Sequence, residues 1–539
     1  MNKKGESNRH KEGLSIKNPE AHQKDHQHWT RRNFMQAMGL TTSVGLTLGQ
    51  WPLQAFTSRV ADYVGETDRV LVLVRLIGGN DGLNTVVPLF DYSKYAGWRP
   101  GIAHPAQSLY ELPAGLALPG QAEGLHALWE KDQMKIVQGV GYPEQNLSHF
   151  RSSDIWDTAS DSSDEIDLGW LGRLLMVDNP NIEVEPPEQP AAIQIGNSNS
   201  LTFHSGDNNT LSFSVSNTQQ LFQLAENGQF YPTDFLGDCL HEQQEKYLRE
   251  VTNSTFRYAD VIQQAYEGSS NALEYTNSGL ADQLAIVARL IKGGLQTSFY
   301  MVTLNGFDTH AGQKQNHDRL IQQLGANMDE FYQDLSATND DDRVLGMSIS
   351  EFGRRPQQNA SQGTDHGAAA PLFLFGPAVN GSGIVGEHPD LDDLDAADNL
   401  KFTTDFRQVY QSVLTDWLCF PSSVGEDVLF DEFSNLDLGL ECQTVRASDP
   451  IDFSANITKM RMGLRHHRFE VQSSRAVKGH VEVYSMSGQV AARLYRGQFH
   501  PGSQTFDVFA DQHGMRPGLY VFVVQLGRRV LREKFVVAG

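Results

Sequence analysis

Residues 69–82 read RVLVLVRLIGGNDG, and the fold class follows from where that run stops. Almost unbroken apolar, β-branched character over Arg69–Ile77 suits a strand buried on both faces, as in a parallel sheet covered by helices. The run ends in the turn Gly78–Gly82, which carries one carboxylate, Asp81. The same grammar recurs three times. Met134–Val140 (MKIVQGV) follows a helical pattern at Glu123–Asp132 and leads into Ser148, His149 and Phe150. Ser298–Leu304 (SFYMVTL) follows the amphipathic stretch Leu280–Ile291 and ends in Asn305, Gly306, Phe307, Asp308, Thr309 and His310. Arg343–Ser350 (RVLGMSIS) follows a helical pattern over Gln315–Leu335 and ends in Glu351, Phe352, Gly353, Arg354 and Arg355. Strand and helix alternate, which predicts an α/β fold: a doubly wound, mostly parallel sheet sandwiched by helices.

Ligands of such sheets gather where the strands end and loops converge. Asp81, Ser148, Asp308, His310 and Glu351 all lie just past strand ends. Carboxylates and imidazoles together suit divalent metals, and hydrolytic sites of this kind hold two ions about 4 Å apart. Asp81, Asp308, His310, Glu351, Asp365 and His366 supply ligands enough for that, with zinc, manganese or calcium as the candidate ions. Each motif also has a plainer reading: Asp308–His310 as an Asx-turn, and Gly363–Gly367 as a glycine-bounded turn. Ser148 reads as the N-cap of a helix starting at His149 and, beside that helix's unpaired amides, as a candidate nucleophile. His149 joins it as a catalytic candidate. Arg354 and Arg355 could clamp an anion bidentately, or pair with surface acids.

The rest of the chain sets the context. Lys and Arg total 43 against 66 Asp and Glu, a net charge of −23 over 539 residues. Such a surface repels phosphate backbones, so nucleic acid is not expected as a partner. The three cysteines, Cys239, Cys419 and Cys442, have no CxxC spacing and allow at most one bridge. Residues 201–278 look like an inserted cap or helical layer, with a long helical pattern over Cys239–Gln264. Ile384–Asn399 carries six acids and reads as a solvated loop, with calcium binding a minor alternative. Residues 1–32 hold eight basic and four acidic residues and almost nothing apolar, a disordered tail. It runs into Thr30, Arg31, Arg32, Asn33, Phe34 and Met35, then a weakly apolar stretch too short to span a bilayer. Residues 461–539 hold twelve basic against five acidic residues. Short alternating runs at His480–Ser485, Gln504–Phe509, Leu519–Gln525 and Val530–Val537 predict a small all-β sandwich there.

Three resemblances follow from these residues. The paired arginines followed by a polar residue and Phe resemble the twin-arginine export signal, with residues 1–56 as tail and signal and no transmembrane anchor left in the mature chain. In order along the chain stand Arg75–Gly82, Ser148–Phe150, Gly169–Arg173, Gly306–His310, Ser350–Arg354 and Gly363–Gly367. Together they resemble family 1501 of the domains of unknown function over residues 66–420. That family looks like a distant branch of the alkaline phosphatase and sulfatase superfamily, and the resemblance implies a domain over 66–445. It further implies Asp81 as first metal aspartate, Asp308 and His310 as middle ligands, Glu351 in place of an aspartate, and His366 as the late histidine. Two departures are a closer Asp308–His310 spacing and Phe352 where a histidine is expected, a gap that Asp365 could fill. Val483–Val490 and Arg516–Val523 resemble the type A sorting domain of type IX secretion, placed at 460–539; the alternative is an immunoglobulin-like or sugar-binding module.

The reading is an exported bacterial protein, periplasmic to surface-displayed or extracellular, with the twin-arginine and type IX machineries as partners. It would cleave a small anionic phosphate or sulfate ester, or act on a polysaccharide, by metal-assisted attack of Ser148 or water, with Arg354 meeting the developing charge. The rival reading is a non-catalytic surface-displayed binding or scaffold protein on the same fold.

Overall fold

The computed structural model describes residues 68–442, except 180–181, 183–186, 197–198, 207–208 and 217–239, and most of 455–537. The expected tail and signal at 1–56, and Cys239, lie outside the described residues. The chain divides into two compact units, at Cys442/Gln443.

In the larger unit the strands of the main sheet are β1 Val70–Ile77, β2 Met134–Gly141, β3 Ala192–Ile195, β4 Ser212–Val215 and β5 Phe299–Asn305. They continue with β6 Val344–Ser350, β7 Ala370–Phe375, β8 Gly383–Val385 and β9 Thr404–Asp405. Their order is β8-β2-β7-β6-β1-β5-β3-β4, with β9 also paired to β2. The apolar run at residue 70 thus lies inside the sheet, parallel to β5 on one side and β6 on the other. Only β7 runs against its neighbours. The sheet is mostly parallel, as the alternation of elements predicts.

The helices used below are α1 Gly82–Thr85, α2 Tyr92–Trp98, α3 Glu123–Glu130, α4 His149–Thr158 and α5 Trp170–Asp178. After them come α6 Leu240–Glu267, α7 Gly279–Lys292, α8 Gln313–Ser336, α9 Phe406–Ser412 and α10 Val424–Leu429. Because side chains alternate along a strand, β1 feeds two cores. Val70, Val72, Val74 and Leu76 join a cluster with Leu125 of α3, Ile262 of α6, Val287 of α7 and Leu324 of α8. Leu71 and Leu73 join another with Ile155 of α4, Trp170 of α5, Phe406 of α9 and Val428 of α10. Apolar burial on both faces explains why the run has no polar alternation.

Of the stretch 201–278, expected as an inserted cap or helical layer, the described residues place β4 in parallel beside β3 at the sheet edge, and Ala259, Ile262 and Ala265 of the long helix α6 in the same core as α7. The helical period was legible there; that a short strand precedes it and completes the sheet edge depends on distant partners.

Arg75 breaks the apolar run for a reason. Its Nη1 donates to Asp157 Oδ2 of α4 at 3.0 Å and to Ser200 Oγ at 3.1 Å. Asp157 in turn accepts from Ser200 and Thr202. The far end of α4 is thereby tied to the central strand while its first residue, His149, points to the strand ends. Near the end of this unit a disulfide joins Cys419 and Cys442, 23 residues apart.

The smaller unit holds β10 Ala455–Arg461, β11 His466–Ser473, β12 Val477–Ser485, β13 Val490–Phe499, β14 Gly502–Phe509, β15 Gly518–Leu526 and β16 Arg529–Val537. They form two antiparallel sheets, β10-β11-β14 and β13-β12-β15-β16. Phe469 and Phe522, one from each sheet, stack with ring centroids 3.9 Å apart. The all-β expectation matches, and β10, β11 and β13 add to the four strands legible beforehand.

Leu73 is fully buried midway along β1. Truncation of a core leucine costs about 2–5 kcal/mol through lost transfer energy and a residual cavity, so Leu73→Ala is expected to lower the unfolding free energy by that amount. Urea denaturation measures it, and a change under about 1 kcal/mol would contradict the central placement of this strand.

Candidate metal centre

The loops after β1, β5 and β6 meet at one place because glycines let their backbones touch. Gly78 has φ of 120°, and a Cβ there would lie 2.2 Å from the amide nitrogen of Asp308. Gly79, at φ of 81°, packs against the ring of Phe352. No other residue satisfies both the backbone conformation and the contact.

Asp308, just past β5, stands at the centre of what this contact brings together. Its Oδ1 lies 3.1 Å from His310 Nε2, 3.3 Å from His366 Nε2 and 3.6 Å from His149 Nε2, and accepts from Arg354 Nη2 at 2.7 Å. His149 comes from the start of α4, His310 from the β5 loop, and His366 from the two-residue strand His366–Gly367 paired with Gly353–Arg354. One donor atom each from His149, Asp308 and His366 lie within 4.8 Å of one another. His310 Nε2 is 3.0 Å from His366 Nε2.

The outer nitrogens of two of these rings face acceptors. His366 Nδ1 donates to the Leu147 carbonyl at 2.8 Å, and His149 Nδ1 to Glu351 Oε1 at 2.8 Å. His310 Nδ1 faces Asp365 Oδ1 at 3.3 Å. A neutral ring that donates from Nδ1 presents a lone pair at Nε2. The inner nitrogens thus crowd one carboxylate oxygen, and whichever of them is unprotonated offers a lone pair to a cation placed among them. Imidazoles held from behind by a carboxylate or a carbonyl are the usual surroundings of a bound metal. The donor set fits a divalent ion held by His149, Asp308 and His366, with His310 beside it.

Electrostatics point the same way. Burial works to raise the Asp308 pKa, but the Arg354 guanidinium, the His366 hydrogen bond and His310 hold it below the ordinary carboxylate value. The Asn359 hydrogen bond, helped by His310, holds Asp365 low as well. Desolvation lowers the pKa of His366 against the pull of the Leu147 carbonyl, favouring the unprotonated ring.

The remaining sequence-derived site residues take other places. Asp81, expected as first metal ligand, is buried and turned inward. Arg99 Nη1 donates to both of its oxygens at 2.8 and 2.7 Å, Gln313 Nε2 donates to Oδ2, and the Asn84 amide at the start of α1 donates to Oδ1 at 3.3 Å. Its carboxylate is engaged within the fold rather than among the histidines. Glu351, also expected as a ligand, has its Oε1 accepting from the Gly78 amide at 2.8 Å and facing His149 Nδ1 at 2.8 Å. Arg354, expected to meet substrate charge, has a fully buried side chain. It donates to the carbonyls of Gly78, Gly79, Phe307 and Thr364 in addition to Asp308. Ser148 is exposed at the N-cap of α4, where its side chain makes no capping bond. Phe352, standing where a histidine was expected, backs the rings of His149 and His366 at centroid distances of 4.9 and 4.5 Å. The third imidazole is His149, not a neighbour of Glu351 in sequence.

A buried polar layer below the cluster was not legible in advance. Arg99, Gln313 and His317 follow no motif and sit on or near helices that look ordinary in sequence, and Thr364, inside the Gly363–Gly367 motif, carried no reading of its own. His317 lies in α8 with Nε2 3.1 Å from Asn80 Oδ1 and 3.3 Å from Thr85 Oγ1.

The sequence model of a family described as a protein of unknown function, DUF1501, matches residues 208–417. This span takes in Asp308, His310, Glu351, Asp365 and His366 but not Asp81, Ser148 or His149, and is shorter than the 66–420 expected. No curated protein matches the chain in sequence. Among solved structures, Ps i-CgsB in complex with k-i-k-neocarrahexaose is 9% identical, with 75% of this chain and 83% of that one covered at a TM-score of 0.31. A protein in the alkaline phosphatase superfamily from Vibrio parahaemolyticus is 9% identical over 86% and 79%, at 0.28. The phosphonate monoester hydrolase SpPMH from Silicibacter pomeroyi is 10% identical over 87% and 89%, also at 0.28. These likenesses are distant, and the site rests on its own geometry.

Burial drives the pKa of His317 down to about 4, against an ordinary 6.5. Between those values the unfolded chain takes a proton on this ring that the folded chain refuses, so its share of stability is complete above pH 6.5 and drains away as pH falls toward 4. At 1.36 kcal/mol per pH unit the share is about 3 kcal/mol. His317→Gln is expected to flatten the pH dependence of urea unfolding across that window; an unchanged slope would contradict the buried neutral ring.

Proposed function

We propose that this chain is an exported, metal-dependent hydrolase of phosphate or sulfate esters acting at the cluster of His149, Asp308, His310 and His366. The observation that supports the reading is the convergence of three imidazole Nε2 atoms on Asp308 Oδ1, each ring held from behind by an acceptor. An imidazole-rich set with a single inner carboxylate favours zinc or manganese over calcium, which prefers oxygen throughout. Bound there, the ion would supply Lewis acidity toward a phosphoryl or sulfuryl oxygen.

The chain's own residues do the rest. Glu351 and the Leu147 carbonyl hold the Nδ1 atoms of His149 and His366, so that their Nε2 atoms face inward. Arg354 keeps Asp308 ionised. Phe352 closes the back of the rings against water. Ser148, exposed beside His149, offers a hydroxyl for attack on the ester, with water as the other nucleophile. The first turn of α4 presents amide donors and the positive end of its dipole next to that hydroxyl, where an anionic oxygen is favoured.

Export through the twin-arginine and type IX machineries completes the proposal. It is supported by Arg31–Arg32 with their flanking residues, by the tail motifs at 483–490 and 516–523, and by the Cys419–Cys442 bridge, which suits an oxidising compartment. No helix among the described residues is long and apolar enough to cross a membrane. One observation favours the second reading, a surface-displayed binding protein on the same fold: Arg354 is spent on backbone carbonyls and Asp308, leaving its guanidinium no exposed face for an anion.

Metal analysis of the full chain, with aryl phosphate and aryl sulfate assays, tests both. Stoichiometric zinc or manganese is expected in the wild type and lost in Asp308→Asn and His366→Ala, with kcat/KM falling at least about 100-fold. Ser148→Ala separates the nucleophiles: a comparable loss assigns attack to the serine, and unchanged turnover assigns it to water. Metal retained without ester cleavage supports the binding protein, and metal-free inactive protein removes the enzyme.

A further inference from the structure

We propose that Asp81 is a positioning residue that fixes the Asp308 carboxylate from a distance, through a buried chain of Gln313, Thr364 and Arg354. The inference rests on the metal reading above. Gln313 Nε2 donates to Asp81 Oδ2, and the other end of the same amide, Oε1, accepts from Thr364 Oγ1 at 2.6 Å. The Thr364 carbonyl accepts from Arg354 Nη1 at 2.8 Å, and Arg354 Nη2 donates to Asp308 Oδ1 at 2.7 Å. Asp81, Gln313, Thr364 and Arg354 are all essentially buried, and so is Arg99, which balances the charge of Asp81.

The chain has a direction. A carboxylate accepts only, so Asp81 turns the NH2 end of Gln313 toward itself and leaves the amide oxygen facing Thr364. That oxygen obliges the Thr364 hydroxyl to donate, which anchors the residue whose carbonyl holds Arg354. Backbone bonds run alongside: the Gln313 amide donates to the Gln362 carbonyl at 2.9 Å, and the Thr364 amide to the Thr309 carbonyl at 3.2 Å. In a low-dielectric interior such bonds reinforce one another, and each link lost leaves a buried group unpaired. Asp81 therefore governs the central oxygen of the metal cluster without touching the ion.

The test uses the full chain and titrates Zn²⁺ by calorimetry, with the visible spectrum of the Co²⁺ form as a second readout. Asp81→Asn strips Arg99 of its charge partner and so confounds binding with folding, and the chain is therefore cut at milder points. Thr364→Val removes only a hydroxyl, and Gln313→Leu keeps the volume. Each is expected to weaken Zn²⁺ binding about 10-fold, in the range seen when outer partners of metal ligands are removed, and to shift the Co²⁺ bands. The double variant is expected to bind no worse than the weaker single one, because links of one chain do not add. Zn²⁺ affinity within about two-fold of wild type in both single variants, or additive losses in the double, would overturn the proposal. A wild-type chain that takes up no Zn²⁺ would overturn the metal reading itself, a different outcome visible before any variant is made.

Discussion

Arg354 is the constraint on which the site depends. A guanidinium stripped of water is tolerated only when its donors are met, and here they are met by three separate pieces of chain. Gly78 and Gly79 belong to the loop after β1, Phe307 and Asp308 to the loop after β5, and Thr364 to the segment leading into His366. Each carbonyl points inward because that cation is there. Replace it with an apolar side chain, and the four carbonyls would lose this donor, Phe307 alone keeping a bond from the Thr309 amide among those described. The two glycines matter for the same reason: only backbones without side chains come close enough to share one planar group.

Around this hub the carboxylates divide by environment rather than by type. Asp81 and Glu351 are buried and make strong, specific bonds to neighbours that would otherwise be mobile or unpaired. Asp308 and Asp365 are about half exposed, and both face His310. Inner acids shape the site and outer ones are left with oxygens facing solvent and imidazole. A parallel sheet makes such sorting natural, since successive loops rise from the same edge and their first residues alternate between core and opening.

Much of this was legible from the residues. Continuous apolar runs located β1, β2, β5 and β6 to within about a residue, because a strand buried on both faces leaves no room for polar positions. The motifs carrying Asp308, His310, Asp365 and His366 stood out as polar residues at strand ends, and the structure gathers them. What a one-dimensional pattern lacks is the direction in which a loop residue turns. Asp81 and Asp308 look alike in sequence, each following glycine at the end of a central strand, yet one faces Arg99 and the other three imidazoles. Glu351 faces His149, about two hundred residues away, a partner that no local pattern shows. Arg99 and Gln313 carry no signature at all, since their partners are set by packing. In the smaller unit β10, β11 and β13 escaped notice because their polar faces dilute the apolar alternation.

The bridge between Cys419 and Cys442 carries a last implication. It closes a loop of 23 residues at the very edge of the larger unit, a closure that restricts the unfolded chain by about 3 kcal/mol. The knot is tied upstream of everything that follows Cys442. A protease cutting beyond that cysteine would leave the closed loop and its bridge with the larger unit. The new chain end would then be tethered to Cys419 by a covalent bond, provided the thiols had already been oxidised.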